Sequence, residues 1–161
     1  MTGVQTCALP ISELAGFPVT VASFTSVTCP VSGLDRCNDG NTLASPMVAV
    51  DDLDPSHVYV AFASSTGAGG ENVIALDSTD GGLTFPRSVT VNNTAVTARR
   101  FMPWVCTSGG VAYVSWYDRR NATSTANDLT AYFGGSAAVQ GGSLVPGLET
   151  NISGEIGRAH V

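Results

Sequence analysis

Ser78-Thr79-Asp80-Gly81-Gly82-Leu83-Thr84-Phe85 is the stretch from which the rest of the chain can be read. An apolar run, Asn72-Val73-Ile74-Ala75-Leu76, precedes it, and an alternating one, Ser88-Val89-Thr90-Val91, follows. Two β-type runs on either side of an Asp and paired glycines predict a hairpin. The short Asp side chain accepts bonds from backbone N–H groups of its own turn, and Gly supplies positive φ without a Cβ penalty. Ser78 and Thr84 are spaced to bond across the tip, and Phe85 to pack beneath it.

Outward from this tip, four short strands are predicted in one unit, at residues 46–51, 57–62, 72–76 and 89–91. An Asp-Pro turn joins the first two and a Gly-rich loop the next two. The order returns about 55 residues later, at residues 103–106, 111–117 and 127–133. Gly134-Gly135-Ser136 then stands at the second tip without an Asp, a degenerate turn into a fourth strand at 143–145 and a lead-out at 149–153. No segment has helical periodicity, so the class is all-β, and four-stranded units at this period predict β-propeller blades. The division is a connecting segment or partial blade at 12–44 with one strand candidate at 19–24, a blade at 45–98, a second blade at 99–142, and the start of a further element at 143–154.

The octet resembles the Asp-box, Ser-x-Asp-x-Gly-x-Thr-Trp/Phe, of the sialidase-like β-propellers, also called BNR repeats. Ser78, Asp80, Gly82, Thr84 and Phe85 fill its fixed places. The resemblance spans residues 46–153 and implies a structural hairpin on a blade rim, away from the catalytic face. It implies an extracellular or secreted protein that acts on or binds glycans or glycoproteins, without a cofactor. One expectation is a glycoside hydrolase of exo-sialidase type in a full-length parent; the alternative is a non-catalytic propeller serving as a binding or scaffolding module. Either way the neighbouring blades are implied partners, and this stretch alone is expected to be inactive.

Residues 1–11 have no basic segment, sustained apolar core or small-residue cleavage site, so they do not read as a signal peptide. They resemble the translation of a sequencing adapter, and residues 155–161 resemble that of its complement. Both ends are set aside for fold reasoning, which makes the remainder an expected internal fragment. The chain carries seven Arg and no Lys against thirteen acids, a net charge of −6. That balance argues against a phosphate-binding surface and against nucleic acid as partner. No apolar run reaches the about 20 residues of a membrane-spanning helix.

Cys29 and Cys37 flank a loop short enough to close with a disulfide, which would suit an oxidising compartment, although the thiols can equally be free. Cys106 falls in a predicted strand and reads as a buried thiol. Three irregularly spaced cysteines and one histidine outside the adapter-like ends do not make a metal-ligand set.

Trp116-Tyr117-Asp118-Arg119-Arg120 is the constellation closest to chemistry. The resemblance implies an arginine cluster for a carboxylate and an Asp acid/base, which puts forward Arg119 and Asp118. Arg suits a carboxylate because its planar fork bonds bidentately, whereas Asp acts as an acid only if burial raises its pKa. The other reading is a structural pair at a strand exit. Arg99-Arg100-Phe101-Met102-Pro103 departs from the family's Phe-Arg-Ile-Pro motif in order and position, so no role is carried over. A Tyr/Glu nucleophile pair is not placed: Tyr113, Tyr117 and Tyr132 read as packing residues, and Glu71 is the only mid-chain glutamate. Asp51-Asp52-Leu53-Asp54 fits either a Ca²⁺ loop or an Asp-Pro surface turn. Three sequons begin at Asn92, Asn121 and Asn151.

Overall fold

A computed structural model describes residues 19–29, 43–122 and 130–156. Among them the chain is all-β, with no helix and two antiparallel sheets. The first sheet is a four-stranded meander of β1 (Met47–Val50), β2 (Val58–Ser65), β3 (Glu71–Ser78) and β4 (Arg87–Thr90). The second follows the same path with β5 (Arg100–Ser108), β6 (Val111–Asp118), β7 (Thr130–Gln140) and β8 (Ser143–Pro146), and β9 (Thr150–Ile156) also pairs with β7. The strands are rich in Val, Ala, Tyr and Phe at alternate positions, the pattern of a sheet with one face in a core.

That core lies between the two sheets. Tyr59, Ala61, Val73, Ala75 and Val91 from the first meet Val105, Ala112, Val114, Trp116, Ala131 and Phe133 from the second. Trp116 is fully buried and is the largest side chain there. Polar latches tie the sheets at one end: Thr107 Oγ1 donates to the Val50 carbonyl (2.7 Å), Gly109 N to Asp52 Oδ1 (2.9 Å), and the Tyr59 hydroxyl to the Gly110 carbonyl (3.0 Å). A smaller apolar cluster at the other end gathers Val27, Leu43, Ala44, Ala63 and Phe101.

Pairing register makes the two sheets equivalent residue by residue. Met47 stands opposite Ala61 and Ala61 opposite Ala75; Trp104 stands opposite Ser115 and Ser115 opposite Gly134. Continuing outward, Val89 faces Ala75 as Thr150 faces Gly134, so β9 is the counterpart of β4. β7 runs on past this core region, turns at Gly141 and Gly142 (φ 57° and 83°) and returns as β8.

Several sequence expectations are corrected by this arrangement. Gly134-Gly135-Ser136 is not a turn but lies inside β7. Its glycines answer to packing: a Cβ on Gly135 would stand 2.8 Å from Val91 Cγ1, and one on Gly134 2.5 Å from Ile152 Cδ1. Residues 143–156 complete the second sheet instead of opening a further element, and Glu155 and Ile156 pair with Ala131 and Thr130. Residues 19–24 form no strand; the segment lies against the end of β2, where Ser65 N donates to the Thr25 carbonyl (3.1 Å). Cys106 is exposed, because it alternates onto the face of β5 that points away from the first sheet. No helix among the described residues is long and apolar enough to cross a membrane.

Candidate functional site

The Ser78–Phe85 tip closes through its own side chains. Asp80 Oδ1 accepts from Thr84 N (2.9 Å) and from the Ser78 hydroxyl (2.6 Å), while Oδ2 accepts from the Thr84 hydroxyl (2.6 Å). Ser78 Oγ in turn accepts from Gly82 N (2.9 Å). Gly81 and Gly82 both have positive φ, 75° and 88°, and Gly81 N reaches the Ser56 carbonyl (2.8 Å). Hydrogen bonds from the Ser78 and Thr84 side chains, then from the Thr84 backbone, hold the Asp80 carboxyl down at about 2. Phe85 is half-buried and its ring comes to 4.0 Å of a Cβ built on Gly82. All five positions singled out in the sequence therefore meet in one turn.

Beside the tip, at the same end of the first sheet, His57 lies between two buried carboxylates. Its Nε2 is 2.9 Å from Asp77 Oδ2 and its Nδ1 3.4 Å from Asp51 Oδ2. Arg87 forks onto Asp77 through Nε (2.9 Å) and Nη2 (2.5 Å). The His57 ring packs against Tyr59 at 4.3 Å between centroids, tilted by 33°. Burial first, then the charges of Asp77 and Asp51, push the Tyr59 phenol up to about 12. Asp51, Asp52 and Asp54 are turned to separate partners: Asp51 to Leu53 N and His57, Asp52 to Gly109 N, Asp54 to Ser56. They do not converge on a cation, and no group of three or more His, Cys, Asp or Glu side chains among the described residues could hold a metal.

The opposite end of the sheets carries four arginines, Arg99, Arg100, Arg119 and Arg120. β5 begins with Arg100 and β6 ends with Asp118, directly opposite in the ladder. Arg100 Nε donates to Asp118 Oδ2 (2.9 Å), and its other nitrogens reach the carbonyls of Glu71 (2.7 Å) and Val96 (2.6 Å). Arg120 wraps the same carboxylate with Nε (3.0 Å), Nη2 (2.7 Å) and its backbone N (2.8 Å). Its Nη1 pairs with Glu149, and its guanidinium sits 3.9 Å over the Phe133 ring. Trp116 Nε1 adds a further donor to Asp118 at 3.2 Å. Next to this pair, Glu71 receives Arg99 Nε (2.8 Å) and Arg100 N (2.7 Å).

This geometry decides what Asp118 can do. Burial works to raise its pKa, but the side-chain and backbone hydrogen bonds of Arg120, with the charges of Arg120 and Arg100, hold it below the ordinary carboxylate value. A carboxylate so held does not carry a proton to donate near neutrality. Burial depresses Arg100 in spite of Asp118, and it raises Glu71 against the opposing pull of Arg100 N and Arg99. Arg119, the other sequence candidate, is buried, with its Nη1 3.2 Å from Thr130 Oγ1 and its backbone N on the Arg99 carbonyl. Asp118 and Arg119 are adjacent in sequence but engage different partners.

Sequence reasoning missed Arg100, Arg120, Glu71 and Glu149 as members of one network. The signal available was the recurrence of an Arg pair, Arg99-Arg100 and Arg119-Arg120, beside the ends of two strands. Cys29 is disulfide-bonded; Cys37 lies outside the described residues. The sequon asparagine Asn92 is buried and used internally, its Oδ1 accepting from Val73 N at 2.7 Å. No protein-family model, curated protein or solved structure matches the chain at a significant level.

Proposed function

We propose that the chain is a blade pair of an extracellular sialidase-like Asp-box β-propeller, and that it serves glycan or glycoprotein binding as a scaffold, not hydrolysis. The observation that supports this reading is the Ser78–Phe85 tip, where the side chains of Ser78, Asp80 and Thr84 bond one another and the tip's own backbone. Two equivalent antiparallel meanders packed face to face support the blade assignment. The choice of binding over hydrolysis rests on Asp118, whose carboxylate is bonded by Arg100, Arg120 and Trp116. A hydrolytic Asp needs a raised pKa and a free face toward the leaving oxygen.

Two measurements test this reading. Purified chain incubated with a fluorogenic sialoside is expected to show no turnover above buffer, and an array of sialylated and neutral glycans is expected to show saturable binding to a subset. Turnover that Asp118→Asn abolishes would establish the enzyme instead. An array without any bound glycan would remove the glycan part of the proposal.

A further inference from the structure

Each sheet has two unlike faces, and the register that aligns the sheets shows which face of one corresponds to which face of the other. Ala49, Tyr59, Ala61 and Ala75 of the first sheet correspond to Cys106, Tyr113, Ser115 and Gly134 of the second. In the first sheet that face is covered by the second sheet. In the second sheet it is open: Trp104 is 59% and Tyr113 48% exposed, and Cys106, Tyr113, Ser115 and Gly134 line a cleft of about 460 Å³ with Tyr132 and Ile152.

The surface that would fill such a cleft is on the same chain. Val105, Val114 and Phe133 point from the second sheet toward the first, and their register counterparts are Val48, Val60 and Ile74 on the far side of the first sheet. Val48 is 65% and Val50 51% exposed. Phe62, the counterpart of Trp116, is covered by Phe24 at 5.8 Å, so the open part of this far side is its Val48–Val50 end. That is the end whose counterpart, Val105 to Thr107, already meets the first sheet through Thr107 and Val50. None of these side chains is charged at neutral pH, as expected of the centre of an interface.

We propose that the chain associates head to tail with further copies of itself. The open face of one copy's second sheet takes the Val48–Val50 end of the next copy's first sheet, repeating between chains the packing that exists within one. The proposal rests on the sheet repeat alone and is independent of glycan binding. Such a contact is heterologous, so each addition leaves one face of each kind free and growth continues to a ring or an open string.

Sedimentation velocity over a range of concentrations tests it. The chain is expected to form species beyond a dimer, whereas a V48D/V50D variant and a Y113D variant each stay monomeric. Mixed together, these two are expected to form a 1:1 dimer and nothing larger, because one retains the cleft and the other the valine face. The three substituted side chains, Val48, Val50 and Tyr113, are exposed, and circular dichroism checks that the variants keep the fold. As a second readout, maleimide labelling of Cys106, followed by mass spectrometry of its peptide, is expected to slow as concentration rises. A chain that remains monomeric throughout, a self-association untouched by both variants, or a mixture that does not combine would each overturn the proposal. Failure of glycan binding alone would leave it standing.

Discussion

Ser45 and Met102 occupy the same place in successive sheets: each is a non-glycine residue at positive φ, 40° and 49°, directly before a proline. Proline steers the residue before it toward extended backbone, and an L residue in the left-handed region is itself strained. Two such positions in register mark the chain's entry into β1 and β5 as a shared device. At Met102 it opens the shift between Phe101 and Trp104 in the β5–β6 ladder, and Met102 N turns to the Leu43 carbonyl (2.8 Å).

This conformation sets the tolerance of position 102. Met102→Leu keeps the volume and the unbranched Cβ and is expected to cost less than about 1.5 kcal/mol. Met102→Ile adds a β-branch where φ is positive and is expected to cost about 1–2 kcal/mol more. Chemical denaturation of the two variants side by side gives the comparison.

Removing Asp118 is expected to be among the most damaging single changes. Asp118→Ala leaves Arg100 buried without its counter-charge and strips Arg120 of three donors' worth of bonding. Breaking one partner of a buried pair costs about 3–5 kcal/mol. The expected result is a large drop in the urea midpoint; a drop no larger than that of a surface control would show that the network is not structural.

Asp80 links the hairpin tip to pH. Its folded pKa, about 2, lies below the ordinary 3.8, so it stabilises the fold above the unfolded value and ceases to do so as pH falls through the folded one. The stability difference between the parent chain and Asp80→Asn is therefore expected to be full at neutral pH and to shrink between pH 3.8 and about 2. Thermal melts of both proteins across that range measure it. A difference that persists unchanged at the acid end would show that the amide, not the lost charge, is responsible.

Gly134 and Gly135 are expected to differ although they are neighbours. A Cβ at 134 meets the flexible end of Ile152, an exposed side chain that can swing aside. A Cβ at 135 meets Val91 in the core, with Trp116 and the Val91 carbonyl each 3.5 Å away. Gly134→Ala is thus expected to be nearly neutral and Gly135→Ala to cost about 1–3 kcal/mol through overpacking. Equal effects in denaturant titrations would contradict the packing account.

The strands were legible because alternation is a local property. Residues 57–62 and 111–117 carry it in their own side chains, and both became strands. The Ser78–Phe85 tip was equally legible, since its bonds run between residues at most four apart. The second tip was misplaced because Gly134 and Gly135 carry the composition of a turn while making room for Ile152 of the adjacent strand and for Val91 of the other sheet. These contacts join distant parts of the chain and leave no trace in spacing. The same applies to Arg120 and Glu149, which follow β6 and precede β9, the strands on either side of β7, and to His57, whose two carboxylates come from a loop and from β3. Asp118 was found by its neighbours in sequence, but its role depended on Arg100, which only the fold brings opposite.

The arginines of this protein have one more effect. The chain has no lysine, and among the described residues Arg87, Arg99, Arg100, Arg119 and Arg120 each bond a carboxylate, hydroxyl or carbonyl. Trypsin needs a basic side chain and several flanking residues in an extended, accessible form, and here every such side chain in the body of the fold is already occupied. Digestion of the folded body thus becomes a clock for its opening, with cleavage at these sites tracking the population of unlocked molecules.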